Sequence, residues 1–143
     1  LILALSLSDA RKILDAALDY IAQQKFKPMA VGVIDARGAL VAYAAQDGTS
    51  LKRGDIALGK ANGAIALGMG SRALMKRAET QSYFIDAATS AIGGSLIPVP
   101  GGVLIKKDGA VVGAIGISGD TSDNDEAAAI AGIKAAGFDA DPG

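Results

Sequence analysis

The chain has 143 residues, the length of one domain, and half of them are apolar, enough for a real core. It contains no His and no Cys, which excludes Ser-His-Asp and Cys-His catalysis, zinc sites of the usual kind, disulfides and thiolate chemistry. A net charge of −1 argues against nucleic acid as a partner, and no apolar run is long enough to span a membrane. A Cys-free composition fits either redox compartment. The chain begins at Leu1 rather than Met, so a removed signal stays open, with a cytoplasmic placement favoured over export.

Leu1 to Leu7 alternates as a short first strand or an extended lead-in. Ser8 reads as the N-cap of a first helix, with Asp9 in its first turn. Ala10, Ile13, Leu14, Ala17, Leu18 and Ile21 recur at helical spacing to about Gln24, and Pro28 forbids continuation. Ala30 to Ser50 reads as strand, turn at Asp35-Ala36-Arg37-Gly38, strand and helix entry. The next helix, from Asp55, is rich in Ala and Gly. Gly59 and Gly63 lie four apart on it, each costing about 1 kcal/mol relative to Ala, so close packing or a second chain must offset them. Ser71 is placed to cap a third helix running to Phe84. Ala87 to Gly102 reads as a loop with one short strand at Leu96–Val99.

Gly101 to Glu126 is the most informative stretch. Lys107-Asp108-Gly109 marks a tight turn between two strands, and Ala110 to Ser118 is apolar enough to be a central strand. Ser122 and Asp123 offer N-caps for a last helix that stops at Gly137, and the tail after it is expected to fray. Glycines 113, 116 and 119 do not have the dinucleotide-fingerprint spacing. Asp120, Asp123, Asp125 and Glu126 crowd the helix N-terminus where a phosphate would sit, so a nucleotide site is rejected.

The chemistry-bearing candidates cluster around Lys60. It sits in the glycine-rich helix, close in sequence to Asp47, Gly48, Arg53 and Asn62, and Gly101 and Gly102 close a loop that can wall a pocket. One reading makes these the contacts of a small planar or anionic ligand. A second desolvates Lys60 among Ala and Gly so that it serves as a base or Schiff-base amine with Asp47 as partner. A third makes Lys60 an ion pair and the domain an accessory subunit. Charge is uneven: basic residues gather from Lys52 to Arg77 and acids from Asp120 to Asp141, which suits an anionic ligand or subunits meeting basic to acidic.

The segments PMAVGVIDARGALVAYAAQDGT, IALGKANGAIAL and GGVLIKKDGAVVGAIGISGDTSDNDEAAAIAG resemble the HbpS-like/GlcG family, in the family order and over most of the chain. The resemblance implies a single α/β domain over residues 1–143, of the α+β type, with one mainly antiparallel sheet of about five strands flanked by helices, assembling into homo-oligomers. It also implies haem or another tetrapyrrole as the ligand class, with no catalytic residue assigned. The chain departs from the family in two ways. It lacks any His to ligate iron, leaving only methionines, tyrosines and lysines. It also carries Ala45-Gln46 where the family has an Arg-Met pair before the Asp-Gly. The expected function is therefore an oligomeric small-molecule-binding domain. The alternative is a small lyase, isomerase or hydrolase acting on an organic acid through Lys60 and Asp47.

Overall fold

The computed structural model describes residues 5–143, and these build five helices around one five-stranded sheet. Helix α1 (Leu7–Gln24) comes first. The hairpin β1 (Ala30–Asp35) and β2 (Leu40–Ala45) leads into α2 (Arg53–Leu67), α3 (Ser71–Thr80) and α4 (Ser82–Ala91). A second hairpin, β3 (Gly102–Lys107) and β4 (Ala110–Ser118), then leads into α5 (Ser122–Ala135) and β5 (Asp139–Asp141). The strand order is β2-β1-β4-β3-β5, every pair antiparallel, as the sequence led us to expect of the fold class.

Three layers result. Helices α1 and α5 cover one face of the sheet, burying Ile13, Ala17 and Ile21 against Val31, Val33, Ile115 and Ile117. Helix α2 covers the other face over Ile34, Leu104 and Ala114. Its close seat has a backbone cause. Gly32, Gly116 and Gly102 stand opposite one another on the three central strands, a row without side chains. A Cβ on Gly116 would lie 1.9 Å from the Ala57 carbonyl oxygen, and one on Gly102 would lie 2.4 Å from that of Lys60. The sheet supplies a trough, and α2 fills it with alanines 57, 61 and 64.

Several local expectations need correction. Ser6, not Ser8, caps α1 by accepting the Asp9 N–H at 3.1 Å. The strand expected over residues 1–7 lies outside the described residues as far as residue 4, and Leu7 is already helical. Thr121, not Ser122 or Asp123, caps α5 through the Asn124 N–H. Ser71 lies just inside α3 and is buried. Its hydroxyl accepts from the Gly102 N–H and donates to the Gly102 carbonyl, so it ties the helix to β3 instead of capping it. The third helix breaks at Gln81, which leaves helical dihedrals and lets α4 fold back over Leu74. Helix α4 takes up 87–91 of the expected loop, and no strand forms at 96–99. The tail does not fray: β5 pairs with β3, and the Arg72 N–H donates to the Pro142 carbonyl.

Candidate functional site

The predicted residues divide into a buried group and an exposed one. Lys60 lies on the sheet-facing side of α2 and is 2% exposed. Its ammonium donates to the Ile117 carbonyl at 2.9 Å and to Asp125 Oδ2 at 3.0 Å. Asp125 belongs to α5, on the opposite side of the sheet, so this ion pair joins the two helical layers past the end of β4. Gly101 makes the passage: a Cβ there would lie 2.8 Å from Lys60 Nζ, and its φ of +126° suits glycine alone. The second Asp125 oxygen accepts the Asp120 N–H at 3.0 Å, leaving the carboxylate fully partnered. Arg53 approaches the same end of the sheet and donates to the buried Ser118 hydroxyl at 3.1 Å. The fold therefore brings Lys60, Arg53, Gly101 and Gly102 together, with Asp125 and Ser118 as partners that the sequence reading missed.

The electrostatics follow from burial. Desolvation lowers the Lys60 pKa. The Asp125 charge opposes that, and the neighbouring Arg53 guanidinium reinforces it. Burial likewise raises Asp125, against the pull of Lys60 and the Asp120 N–H. Neither group lines the groove or the hollow described below.

The pairing of Lys60 with Asp47 does not form. Asp47 and Gly48 lie exposed in the loop after β2, with Gly48 beside Pro28. Just before them, Gln46 bonds Met29 twice, through its own N–H to the Met29 carbonyl and through its side-chain oxygen to the Met29 N–H. Asp125 stands where Asp47 was expected, and it bridges Lys60 of α2 to the Asp120 N–H before α5.

Asn62 points the other way, outward from α2, and donates to the Ser95 hydroxyl at 2.8 Å. It lines a groove of about 590 Å³ between the outer face of α2 and residues 93–97. Ile56, Leu58 and Ile97 supply apolar wall, and Lys52 stands at the mouth, 3.3 Å from Asp55. The groove explains the glycines of α2. Leu96 and Ile97 of this same chain rest on Gly63 and Gly59, and the Ile97 N–H donates to the Gly59 carbonyl. That face of α2 is thus covered by the chain itself and is not a free contact surface. A second, shallower hollow of about 270 Å³ lies beside it, between α2 and β2, walled by Leu40, Tyr43, Leu51 and Leu58.

For haem, the donor set is decisive. The groove is lined by no His, Cys, Met or Tyr. Met29 is fully buried in the core beneath α1 and α5, and Met69 packs against the α3–α4 cluster. Of the donor types left to this chain, the groove's lining offers only a lysine, Lys52, which is already paired with Asp55.

Among the described residues, no cluster of acidic side chains is arranged to hold a metal ion, and no helix is long and apolar enough to cross a membrane.

The comparisons agree with this architecture. The crystal structure of a PduOC–haem complex superposes with a TM-score of 0.84 at 26% identity, covering 94% of this chain and 96% of that one. A crystal structure of HbpS gives 0.83 at 25% identity, covering 94% and 91%. Klebsiella pneumoniae ORFY gives 0.85 at 22%, covering 95% and 92%, a likeness of fold. No curated protein matches at the level of sequence. A sequence model described as haem degrading protein HbpS-like matches residues 5–134, nearly the whole chain, and the chain belongs to that HbpS-like family.

Proposed function

We propose that this chain is a small-molecule-binding domain that works as a homo-oligomer and holds a planar, acidic ligand of the tetrapyrrole class in the groove between α2 and residues 93–97. The observation that carries the reading is the groove itself: about 590 Å³ of open, largely apolar space with a lysine at its mouth. A 26% identical neighbour that was crystallised with haem supports the ligand class. The lining holds the ligand by shape and by its carboxylates, since it offers no axial donor of the common kinds. Metal is therefore not what is recognised.

Titration with haemin and with metal-free protoporphyrin tests this. Both should bind saturably at one per chain, with affinities within about tenfold, or 1.4 kcal/mol. Ile97→Glu should weaken both together. Binding of neither compound overturns the reading. So does tight binding of haemin alone with the spectrum of a protein-derived axial bond.

The enzyme reading draws no support from the geometry. Lys60 is sealed in, and its partner is Asp125, not Asp47.

A further inference from the structure

The two edges of the sheet are not alike. On one side β5 ends it with three residues, Asp-Ala-Asp, and Asp141 is paired to Lys106 at 2.7 Å. Short length and charge are how sheet edges are blunted against other strands. On the other side β2 ends it with Leu-Val-Ala-Tyr-Ala-Ala, which carries no charge and no proline. Its one irregularity is the extra residue Val41 opposite the Val33–Ile34 step, which leaves Ala42 to Ala45 in regular register.

Large apolar side chains gather beside this edge, which no strand covers among the described residues. Leu40 is 54% exposed, Tyr43 44% and Leu51 90%, three of the five large hydrophobics that the described residues leave exposed. They wall one hollow with Leu58. Tyr43 is set in place. Its hydroxyl lies 2.4 Å from where a Cβ on Gly54 would be, so the missing side chain lets the ring settle against α2 and present its other side outward. The one charge at the hollow, Asp55, is already paired with Lys52.

We infer that β2 and the Leu40–Tyr43–Leu51 hollow form the surface on which a second copy of this chain docks, strand edge against strand edge. The occupant follows from the chemistry. A two-fold contact sets the same patch against itself, so a charged patch would repel its own copy, whereas an uncharged strand with an apolar hollow is self-complementary. A tetrapyrrole with acidic groups is the poorer fit, because this hollow, unlike the groove beside it, has no basic residue in its lining. The inference rests on the self-association proposed above and names its surface.

Analytical ultracentrifugation across the micromolar range tests it, with Leu51→Glu and Leu40→Lys beside the wild type. Wild type should be a dimer or a larger even assembly. Each substitution should raise the dissociation constant at least about tenfold. Leu51 projects from a turn, so Leu51→Glu decides the matter even if Leu40→Lys disturbs β2; circular dichroism checks the fold of each. Amide exchange along β2 should slow as concentration rises. A wild type that assembles equally well with both substitutions sinks this surface and leaves self-association standing. A wild type that stays monomeric sinks both. Haemin binding to a monomer that Leu51→Glu weakens would give the hollow to the ligand and overturn the inference.

Discussion

Lys60 and Asp125 show why a buried charge is not a reactive one by default. Each is 2% exposed at the side chain, and each has the other within 3.0 Å. Removing one partner leaves a desolvated charge with no counter-ion. Lys60→Met should therefore cost about 3–5 kcal/mol in urea unfolding. Lys60→Met with Asp125→Asn should recover much of that loss, because the amide keeps an acceptor for the Asp120 N–H without stranding a charge. Equal stability of the single and double variants would show that the loss is one of packing alone.

Three other carboxylates set the acid limit. At Asp35, burial pushes the pKa up, but the Arg37 guanidinium and the N–H groups of Ala39 and Arg37 more than reverse it. The Lys27 N–H, then the Thr121 N–H and the Asn124 amide, hold Asp120 low. The Lys106 ammonium does so for Asp141. Each folded value lies below the unfolded 3.8, so the unfolded chain takes up these protons first as pH falls. Their contribution is complete above 3.8 and is lost as pH drops through the lower folded values. Asp125, raised instead, works in the opposite sense between 3.8 and its higher folded value. Stability measured by denaturant titration should decline below about pH 4. Asp120→Asn should make that decline shallower while lowering stability at neutral pH.

At the scale of elements, the glycines of α2 and those beneath it answer to different neighbours, and substitution should separate them. Gly116→Ala drives a methyl into the Ala57 carbonyl at 1.9 Å, backbone against backbone, and α2 must lift. About 3 kcal/mol or more should be lost. Gly59→Ala meets Cγ1 of Ile97 at 2.5 Å, a β-branched side chain whose N–H is held by the Gly59 carbonyl, so that loop must shift, but about 1 kcal/mol of helix propensity offsets part of the cost. Its loss of stability should be smaller than that of Gly116→Ala. Comparable losses at both sites would refute the trough as the reason α2 sits so close.

The element pattern also shows what the sequence held in plain view. Ala57, Lys60, Ala61 and Ala64 fall at i, i+3, i+4 and i+7, and so do Asp125, Ala128, Ala129 and Gly132. Each charge lies in the buried stripe of its own helix. Two lone charges of opposite sign on two buried stripes could have been paired from that alone. What concealed it was the acidic crowd at the start of α5, where Asp125 read as one more solvated carboxylate. The caps slipped for a related reason: Ser6 and Ser8, or Thr121 and Ser122, are equivalent on paper, and only the path of the incoming chain selects one of each.

At the scale of the whole molecule, the last five residues act as a stitch. Strand β5 closes the β3 edge, and Pro142–Gly143 lies against the start of α3, where a Cβ on Gly70 would meet the Pro142 carbonyl carbon at 2.1 Å. Deleting residues 139–143 should uncover the edge of β3 and release Arg72 from its Pro142 contact. A lower melting temperature with increased light scattering is expected. Unchanged melting would mean that the strand is ornamental.

Sequence alone determined helices α1, α2, α3 and α5, both hairpins, the central position of β4 and the lack of histidine and cysteine side chains, but not α4 or β5. Those are properties of periodicity, turn residues and composition, all of them local or additive. The partner of Lys60, the fate of the tail, the covering of Gly59 and Gly63, and the groove around Asn62 were decided by tertiary structure. Each depends on which residues distant in the chain arrive at one place, such as Lys60 and Asp125 across the end of a sheet, and no local pattern carries that distance.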